Sequence, residues 1–355
     1  MTKTLAVLGA VIAILATACG GGAGGGTAAT TAPAATTAAA TQAAASPSPT
    51  GLPCCTKIKV AYSNITGDDM TVWVTFEAGI FKNRGLDVDL QYINGGAQTS
   101  AALISSSVNV AQFGGGEVLG AVAGGADIVI VGQLAPVYPY KLYVAKGIKT
   151  IADLKGKKVG ISNAGGSSDI ATRDALKKNG LDPDKDVDMV AVGSHSNRTA
   201  ALLTGQIDAG LDDPPEDNKL VAAGLTALID LASQKIPASN TAIVVQRSYL
   251  TANKAVVQAY IDAIVEGIAY ANKNKDFTIG VLKKYFKSDS TEDMTRAYDF
   301  FLHEVTPAYP MPGPDQLATS IDILAKENPK VKTVDLTKMI DTTFVKSAQD
   351  RKVGQ

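Results

Sequence analysis

The sequence has little of the chemistry on which most enzymes and metalloproteins depend. Its 355 residues include only three cysteines, two histidines and one tryptophan. Cys54 and Cys55 are adjacent and far from both histidines, so they indicate a vicinal disulfide or two unreacted thiols and no zinc site. The sequence also has no Ser-His-Asp spacing, no metal-binding cluster and no phosphate-binding loop. We therefore predict no catalytic residues, no metal and no cofactor.

An excess of charge of one sign is missing as well. The 33 basic residues are balanced by 34 acidic ones, which gives a net charge of −1, and charged residues make up 19% of the chain. A basic stripe that would bind nucleic acid is therefore not expected. We expect a monomer whose binding partner is a small molecule and not nucleic acid.

The first residues are typical of an exported protein. An apolar run from Leu5 to Ala16 follows Lys3 and is too short to span a bilayer, as in a signal peptide. The segment Leu15-Ala-Thr-Ala-Cys19 resembles the lipobox of bacterial lipoproteins, in which the cysteine becomes the lipidated first residue, although Ala16 stands where leucine is usual. An ordinary signal peptide with an incidental cysteine is the alternative. We predict a signal peptide over residues 1–18 and lipidation at Cys19.

The next segment lacks the residues that a folded core requires. From Gly20 to Pro53 the chain consists almost entirely of Gly, Ala, Thr, Ser and Pro, without a charged or aromatic residue. Such a composition cannot offset the entropy lost on folding. We predict a disordered tether over residues 19–56, so that the folded part is extracytoplasmic and is anchored to the cell membrane only by its lipid.

The folded part contains an internal repeat. Lys59-Val60 recurs as Lys158-Val159, and Ser63-Asn64 recurs as Ser162-Asn163, at a constant spacing of 99 residues. The same spacing relates Val88–Leu90 to Val187–Met189, Ser100–Ser105 to Thr199–Thr204, Val108–Val110 to Ile207–Ala209, and Glu117 to Glu216. Matches that keep this order from residue 59 to residue 117 predict two similar α/β units, and hence a protein of two lobes.

Hydrophobic patterns set the limits of the two lobes. Two apolar, β-rich runs, Leu142–Ala145 and Thr241–Gln246, are predicted to be strands that cross between the lobes. Asn253–Asn272 is predicted to be a helix, because its apolar residues form one stripe. We predict that residues 57–141 and 246–355 form the first lobe and that residues 142–245 form the second, with a ligand cleft between the lobes.

Several short motifs point to one family. The segment Ile151-Ala-Asp-Leu-Lys-Gly-Lys-Lys-Val159 resembles the start of the second lobe in type II periplasmic-binding proteins, the solute receptors of ABC importers. Glu77–Lys82 with Gly85–Val88, and Leu202–Ala209, resemble the branch that includes nitrate, sulfonate, taurine and thiamine-precursor receptors. Asp213-Pro214 is similar to an Asp-Pro pair in sulfonate and taurine receptors. The resemblance implies a type II periplasmic-binding-protein fold, in which two α/β lobes are joined by two crossing strands.

Three pairs of corners are candidates for the ligand site. In open α/β sheets ligands bind beyond the carboxyl ends of the strands. The repeat pairs residues 63–69 with 162–168, residues 94–98 with 193–197, and residues 114–117 with 213–216. If the lobes face each other, these corners line one cleft. The candidate ligand-binding residues are Ser63, Asn64, Trp73, Gly115, Glu117, Tyr138, Ser167, Ser168, His195, Asn197 and Asp213.

The local reasons for these candidates differ. Ser167 or Ser168 is predicted to be the N-cap of a helix whose free N–H groups face a ligand. Three successive glycines at 114–116 permit positive φ and the close approach of another group, although they could simply form a turn. Trp73 begins a helix at one corner, with Asp68 or Asp69 as its N-cap, and could instead belong to the core. His195 could instead lie on the surface.

Two classes of ligand fit this inventory. A sulfonate or nitrate would use the helix start at Ser167 and the guanidinium of Arg198, which forms bidentate pairs with oxyanions. A nitrogen heterocycle, such as a pyrimidine, a thiamine precursor or riboflavin, would stack on an aromatic ring and pair with Glu117 or Asp213. Because a buried carboxylate without a partner is costly, we favour a nitrogen-containing or zwitterionic solute such as taurine.

The resemblance implies a receptor that closes over a small polar solute and delivers it to an ABC permease and ATPase complex. Two other functions stay open. Pyrimidine-precursor synthases and a menaquinone-pathway dehydratase resemble the same fold, so an enzyme is one alternative. The cysteine-rich motif of the synthases has no counterpart in the repeats. A ligand-sensing adaptor that contacts a membrane sensor is the other.

Cys19 provides a test of the lipid anchor. We expect Cys19→Ser to release the protein from the membrane, because the serine hydroxyl cannot receive the lipid. The measurement is the distribution of the protein between membrane and soluble fractions of the cells that export it. Retention of the variant in the membrane fraction would contradict the lipobox prediction.

Overall fold

The computed structural model describes residues 55–355 as a mixed α/β protein. The predicted signal peptide, Cys19, Cys54 and nearly all of the predicted tether lie outside the described residues. The tether was predicted to extend to residue 56, whereas the first strand begins at Thr56. Cys55 is disulfide-bonded, which agrees with the first of the two alternatives for the adjacent cysteines.

Ten strands form two sheets. They are β1 Thr56–Tyr62, β2 Leu86–Tyr92, β3 Val110–Phe113, β4 Ile128–Val137, β5 Lys141–Val144, β6 Lys158–Ile161, β7 Asp188–Ala191, β8 Ala209–Asp212, β9 Thr226–Asp230 and β10 Pro237–Gln246. The strand order is β2-β1-β3-β10-β4 in the first sheet and β7-β6-β8-β5-β9 in the second. We call each sheet, with the helices that pack on it, a lobe.

Helices follow most strands and dominate the C-terminal part. They are α1 Met70–Glu77, α2 Ile80–Asn83, α3 Gly96–Ile104, α4 Gly115–Ala123, α5 Ser167–Lys178, α6 His195–Leu203, α7 Asp217–Ala222, α8 Arg247–Ala252, α9 Lys254–Lys273, α10 Lys275–Phe286, α11 Thr291–Phe300, α12 Ala318–Leu324, α13 Leu336–Met339 and α14 Thr343–Asp350. Short 3₁₀ turns span Gly67–Asp69, Ile151–Leu154, Ala232–Gln234, Pro314–Leu317 and Pro329–Thr333, and a π-helical turn spans Phe301–Val305. None of the helices in residues 55–355 is both long and apolar enough to cross a membrane.

The two sheets confirm the predicted duplication. In the first sheet β1 pairs in parallel with β2 and β3, and in the second β6 pairs in parallel with β7 and β8. One hydrogen bond is even repeated at the predicted spacing. The N–H of Lys59 donates to Asn109 Oδ1 at 2.8 Å, and the N–H of Lys158 donates to Asp208 Oδ2 at 2.9 Å. The predicted fold of two similar α/β lobes is therefore confirmed.

The connections between the lobes differ from the prediction. The run at Leu142–Ala145 is a strand, β5, but it pairs with β8 and β9 inside the second sheet. The chain passes between the sheets just before it, at residues 138–140, and returns between β9 and β10. The predicted second lobe, 142–245, also includes most of β10, which pairs with β3 and β4 in the first sheet. Short apolar runs indicate a strand, but they do not indicate the sheet that it joins.

The C-terminal helices complete the first lobe, as the resemblance implied. The predicted apolar stripe of the long helix is the buried face of α9 and includes Val257, Tyr260 and Ile264. This face packs in the same hydrophobic cluster as Val60 of β1 and Phe344 of α14. The second lobe has its own clusters, built around β5, β6 and β8. Each lobe is therefore packed around its own hydrophobic clusters. The carboxyl ends of the strands of one lobe face those of the other.

Candidate functional site

A cavity of about 30 Å³ lies between the two lobes. It is lined by Asn64, Thr66, Asp68, Gly96, Gly114, Glu117, Tyr140, Ser162, Asn163, Gly166, Ser167, Ser168, His195, Arg198, Asp213, Asn240 and Thr241. Each of the six corners selected by the repeat supplies at least one of these residues. The paired corners therefore do face one another, as the repeat requires of a two-lobed receptor.

Part of the predicted set of ligand-binding residues lines this cavity. Asn64, Glu117, Ser167, Ser168, His195 and Asp213 do so. Ser63 is buried just behind the cavity lining, where its Oγ atom accepts a hydrogen bond from Asn64 Nδ2 at 3.0 Å. Asn197 is exposed, and its side chain donates to the carbonyl of Val192 at 2.9 Å. The corners thus contribute, but not through every residue that the sequence suggested.

The aromatic candidates belong to the cores. Trp73 has 0% exposure, and its ring stacks on Tyr285 with centroids 4.6 Å apart, inside the first lobe. Tyr138 is 2% exposed and packs in the core of the second lobe. Tyr140, two residues later, lines the cavity and donates from its hydroxyl to Asn240 Oδ1 at 2.8 Å. Residue type alone did not distinguish the tyrosine in the core from the one at the cavity.

The three glycines at 114–116 act through close packing and not through positive φ. Gly114 has a φ of −69°, and none of the three adopts the left-handed conformation. A Cβ atom at Gly116 would overlap Ile170 and the carbonyl oxygen of Gly165 in the second lobe. A Cβ atom at Gly115 would overlap Ser239, so Gly115 supports the packing and does not line the cavity. The glycines allow α4 to approach the second lobe closely.

The start of α5 is built differently from the prediction. Its N-cap residue is Gly166, and neither serine caps the helix. Ser168 Oγ instead accepts a hydrogen bond from the N–H of Ser162 at 2.9 Å, which fixes the preceding loop. Ser167 Oγ donates to the carbonyl of Asn240 on β10 at 3.0 Å, across to the first sheet. Both serines therefore organise the corner while lining the cavity.

Asp68 is a cavity residue that the sequence suggested only as a helix cap. The structure gives Asp69 no side-chain capping bond, and Asp68 lies in the 3₁₀ turn before α1. The buried carboxylate of Asp68 accepts hydrogen bonds from Thr66, from Asn240 Nδ2 at 3.0 Å, and from Thr241. A polar run, Ser239-Asn240-Thr241, precedes the apolar part of β10, and this run is the signal that could have identified Asp68 as a cavity residue.

His195 lies between two aspartates on the floor of the cavity. Its Nε2 atom is 2.9 Å from Asp212 Oδ1, and its Nδ1 atom is 3.4 Å from Asp213 Oδ2. Burial lowers the pKa of His195, but the carboxylates of Asp213 and Asp212 raise it by more, to about 9. His195 is therefore protonated at neutral pH, and both of its ring nitrogens are donors.

Arg198 is buried beside His195 and is occupied by the protein. It is 1% exposed, its Nε atom donates to the carbonyl of Leu211, and one terminal nitrogen donates to Ser162 Oγ at 2.9 Å. The guanidinium thus fixes strand β8 and the loop after β6. Its role is to hold the second-lobe corners together, whereas the sequence suggested a free oxyanion clamp.

Two carboxyl groups at the cavity have oxygens without a hydrogen-bond partner. Asp213 is 2% exposed, and neither of its side-chain oxygens makes a hydrogen bond. Burial raises the pKa of Asp213 well above its usual range. Glu117 Oε2 is also buried and unpartnered, while Oε1 accepts from Asn163 Nδ2 at 3.4 Å. Burial raises the pKa of Glu117 to about 7.

No metal site competes for these acids. Among residues 55–355, no group of three or more His, Cys, Asp or Glu side chains has an arrangement that could hold a metal ion. The cavity can therefore do one kind of chemistry well, which is to form hydrogen bonds and ion pairs with a small polar molecule held between the lobes.

Comparisons with known proteins place the chain in a family and relate it to binding proteins. Residues 68–276 match the NMT1/THI5-like family. A protein of Brucella abortus named as a binding protein is 26% identical over 246 residues, which cover 68% of this chain and 75% of the relative. This relative is named as a binding protein and not as an enzyme, which agrees with the function class predicted from the sequence.

Solved structures share the fold. The periplasmic aliphatic sulphonate binding protein SsuA of Escherichia coli has a TM-score of 0.66 at 21% identity, with 82% of this chain and 99% of that chain covered. The periplasmic nitrate-binding protein NrtA of Synechocystis PCC 6803 has a TM-score of 0.68 at 16% identity, with 84% and 90% covered. At these identities the likeness establishes the two-lobed fold alone.

His195 gives a test of the electrostatics of the site. We expect its imidazole to titrate near pH 9 by NMR, and His195→Gln will assign the signal. Since the pKa is raised above the unfolded value of 6.5, this group stabilises the protein fully below pH 6.5 and loses its contribution as the pH rises through 9. The free energy of unfolding should fall over this range by at most about 3 kcal/mol, and less in His195→Gln. Titration at or below pH 6.5 would contradict the assignment.

Proposed function

Since the chain belongs to the NMT1/THI5-like family, we propose that it is an extracytoplasmic receptor that encloses a small polar solute between its lobes and delivers it to an ABC permease and ATPase complex. One observation carries the proposal. A single cavity is lined from both lobes by the six corners that the internal repeat pairs. A site divided in this way binds most tightly when the lobes are together, so the solute favours the closed form.

The contacts between the lobes fit a reversible closure. On one side Arg296 of α11 pairs with Asp217 of α7, and on the other Lys326 pairs with Asp184 at 3.2 Å. Lys326 and Asp184 are both exposed, so their pair contributes little, roughly 0–1 kcal/mol, whereas Asp217 is 5% exposed and its pair with Arg296 is partly removed from water. The two covalent connections, at residues 138–140 and 231–236, are the natural positions for the hinge.

The proposed anchor suits the same role. A lipid at Cys19 and a tether over residues 19–56 would keep a monomeric receptor close to a permease in the membrane. Delivery then depends on a local search and not on free diffusion through the surroundings.

The solute is proposed to be a sulfonate of the taurine type or a nitrogen heterocycle such as a pyrimidine, a thiamine precursor or riboflavin. Proteins of similar fold are named for aliphatic sulphonates and for nitrate, which supports the first class. The unpartnered carboxyl oxygens of Glu117 and Asp213 support the second, because they require a donor.

A ligand screen tests the receptor. We expect one of sulfonates, taurine, nitrate, pyrimidines, thiamine or riboflavin to raise the melting temperature, because a ligand that binds only the folded state stabilises it. The measurement is thermal unfolding with each compound, followed by calorimetry of the compounds that respond. Chemical turnover of a responding compound would favour an enzyme. No response, together with capture of a membrane sensor, would favour an adaptor.

Gly116 tests whether binding requires closure. We expect Gly116→Ala to weaken binding of the responding compound at least ~10-fold, because its Cβ atom would overlap Gly165 and Ile170 of the second lobe. The matched control is Gly120→Ala on the same helix, where a Cβ atom meets nothing within 4 Å. Small-angle scattering should show a more open Gly116→Ala protein. Equal affinity of the two variants would contradict closure.

A further inference from the structure

We infer that the solute presents a cationic or neutral N–H donor group to Glu117 and Asp213, one from each lobe, and that Glu117 excludes oxyanions from the cavity. This inference rests on the proposed function and chooses between its two classes of solute. It assigns to Glu117 the role of a specificity-determining residue at the junction of the lobes.

The first argument is that the cavity atoms without a hydrogen bond are acceptors and not donors. Among the cavity-lining residues, the buried side-chain atoms that make no hydrogen bond are Glu117 Oε2, Asp213 Oδ1 and Asp213 Oδ2, of which Asp213 Oδ2 faces His195 Nδ1 at 3.4 Å. All of them are carboxyl oxygens. Each buried acceptor left unpaired costs about 1–3 kcal/mol, and more when it is ionised. A solute that donates N–H groups removes this cost for the ionised carboxylates, whereas a solute that only accepts hydrogen bonds could be met by them only in their protonated form.

The second argument is that several side-chain donors at the cavity are already in use. Arg198 donates to Leu211 and Ser162, and His195 donates to Asp212. Asn163 Nδ2 is directed to Glu117, and Ser167 Oγ donates to Asn240. To bind an oxyanion with these side chains, the protein would have to break contacts that hold its own corners together.

The third argument is the position of Glu117 at the start of α5. A Cβ atom on Gly166, the N-cap residue of α5, would lie 2.7 Å from Glu117 Oε1. Cβ atoms on Gly96 and Gly114 would overlap the same carboxyl group. Three glycines therefore make room for a first-lobe carboxyl at the place where the helix dipole of the second lobe favours a negative charge. The carboxyl group of Glu117 thus occupies the place at this helix start that an external oxyanion would take.

The size of the cavity limits the donor group. The cavity of about 30 Å³ has room for a small polar group, since about 10–15 Å³ is needed to hold one water. An ammonium, an amidinium or the amino edge of a small heterocycle is of this size. Because His195 already lies 2.9 Å from Asp212 Oδ1 and 3.4 Å from Asp213 Oδ2, we expect a single positive charge or a pair of N–H groups to be sufficient.

The test compares two sets of small probes in calorimetry and thermal unfolding. The donors are acetamidinium and 4-aminopyrimidine, and the oxyanions are nitrate and methanesulfonate. We expect the wild-type protein to bind a donor and to show no response to either oxyanion. Glu117→Gln and Asp213→Asn should each weaken donor binding roughly 10- to 100-fold, because an acceptor is replaced in part by an N–H donor. Glu117→Gln should also gain binding of an oxyanion, since its amide can donate to it.

Glu216→Gln is the matched control. Glu216 is the repeat counterpart of Glu117, but its carboxylate pairs with Lys219 away from the cavity. This variant should bind every probe as the wild-type protein does. Circular dichroism of all variants will establish that they are folded.

The possible outcomes distinguish failure of the donor-group inference from failure of the proposed receptor function. Binding of nitrate or methanesulfonate by the wild-type protein without binding of a donor would overturn this inference and leave the receptor intact. Donor binding that Glu117→Gln and Asp213→Asn do not weaken would overturn it too. No binding of any probe, together with a negative ligand screen, would overturn both the inference and the receptor.

Discussion

Burial of carboxyl groups between two lobes is the constraint on which this site depends. A carboxylate that leaves water must be paired, hydrogen-bonded or protonated. Asp212 is paired with His195 and Thr199, and Asp68 accepts from three donors that join the first corner to β10. Glu117 and Asp213, which lie on opposite lobes, keep carboxyl oxygens without a hydrogen-bond partner, and burial raises the pKa of both. The hydrogen bonds that hold the corners in place are therefore all made within the protein, whereas Glu117 and Asp213 keep acceptors that a solute can use.

The duplicated scaffold explains why the acids meet. Each half places a glycine with positive φ just before the helix of its second corner, Gly95 at +99° and Gly193 at +98°. The N–H groups of these glycines donate to Ser63 and Ser162, which are equivalent in the repeat. The repeated corners have the same internal bonds, and the repeat in the sequence was sufficient to predict two similar α/β lobes and the cleft between them.

Other features depend on contacts that no local pattern encodes. The membership of β10 in the first sheet follows from pairing with β3 and β4, which are distant in sequence. Trp73 was assigned to the cleft because its helix begins at a corner, yet helix α1 turns that ring inward against Tyr285. Arg198 looked like an oxyanion clamp, but its partners Leu211 and Ser162 become neighbours only after β6 and β8 pair. Sequence reasoning located the corners, and long-range packing decided which side chains reach the cavity.

The sterics and the electrostatics of closure are coupled through α4. The same approach that sets Gly116 against Gly165 brings the carboxyl of Glu117 to Gly166. The proposed closure would remove Glu117 and Asp213 from water together, at a cost of roughly 2–6 kcal/mol if neither finds a donor. A solute that supplies the donors offsets this cost only in the closed form, because only there do both acids face it. The difference in affinity between the open and closed forms is the free energy that a receptor uses to signal occupancy to its transporter.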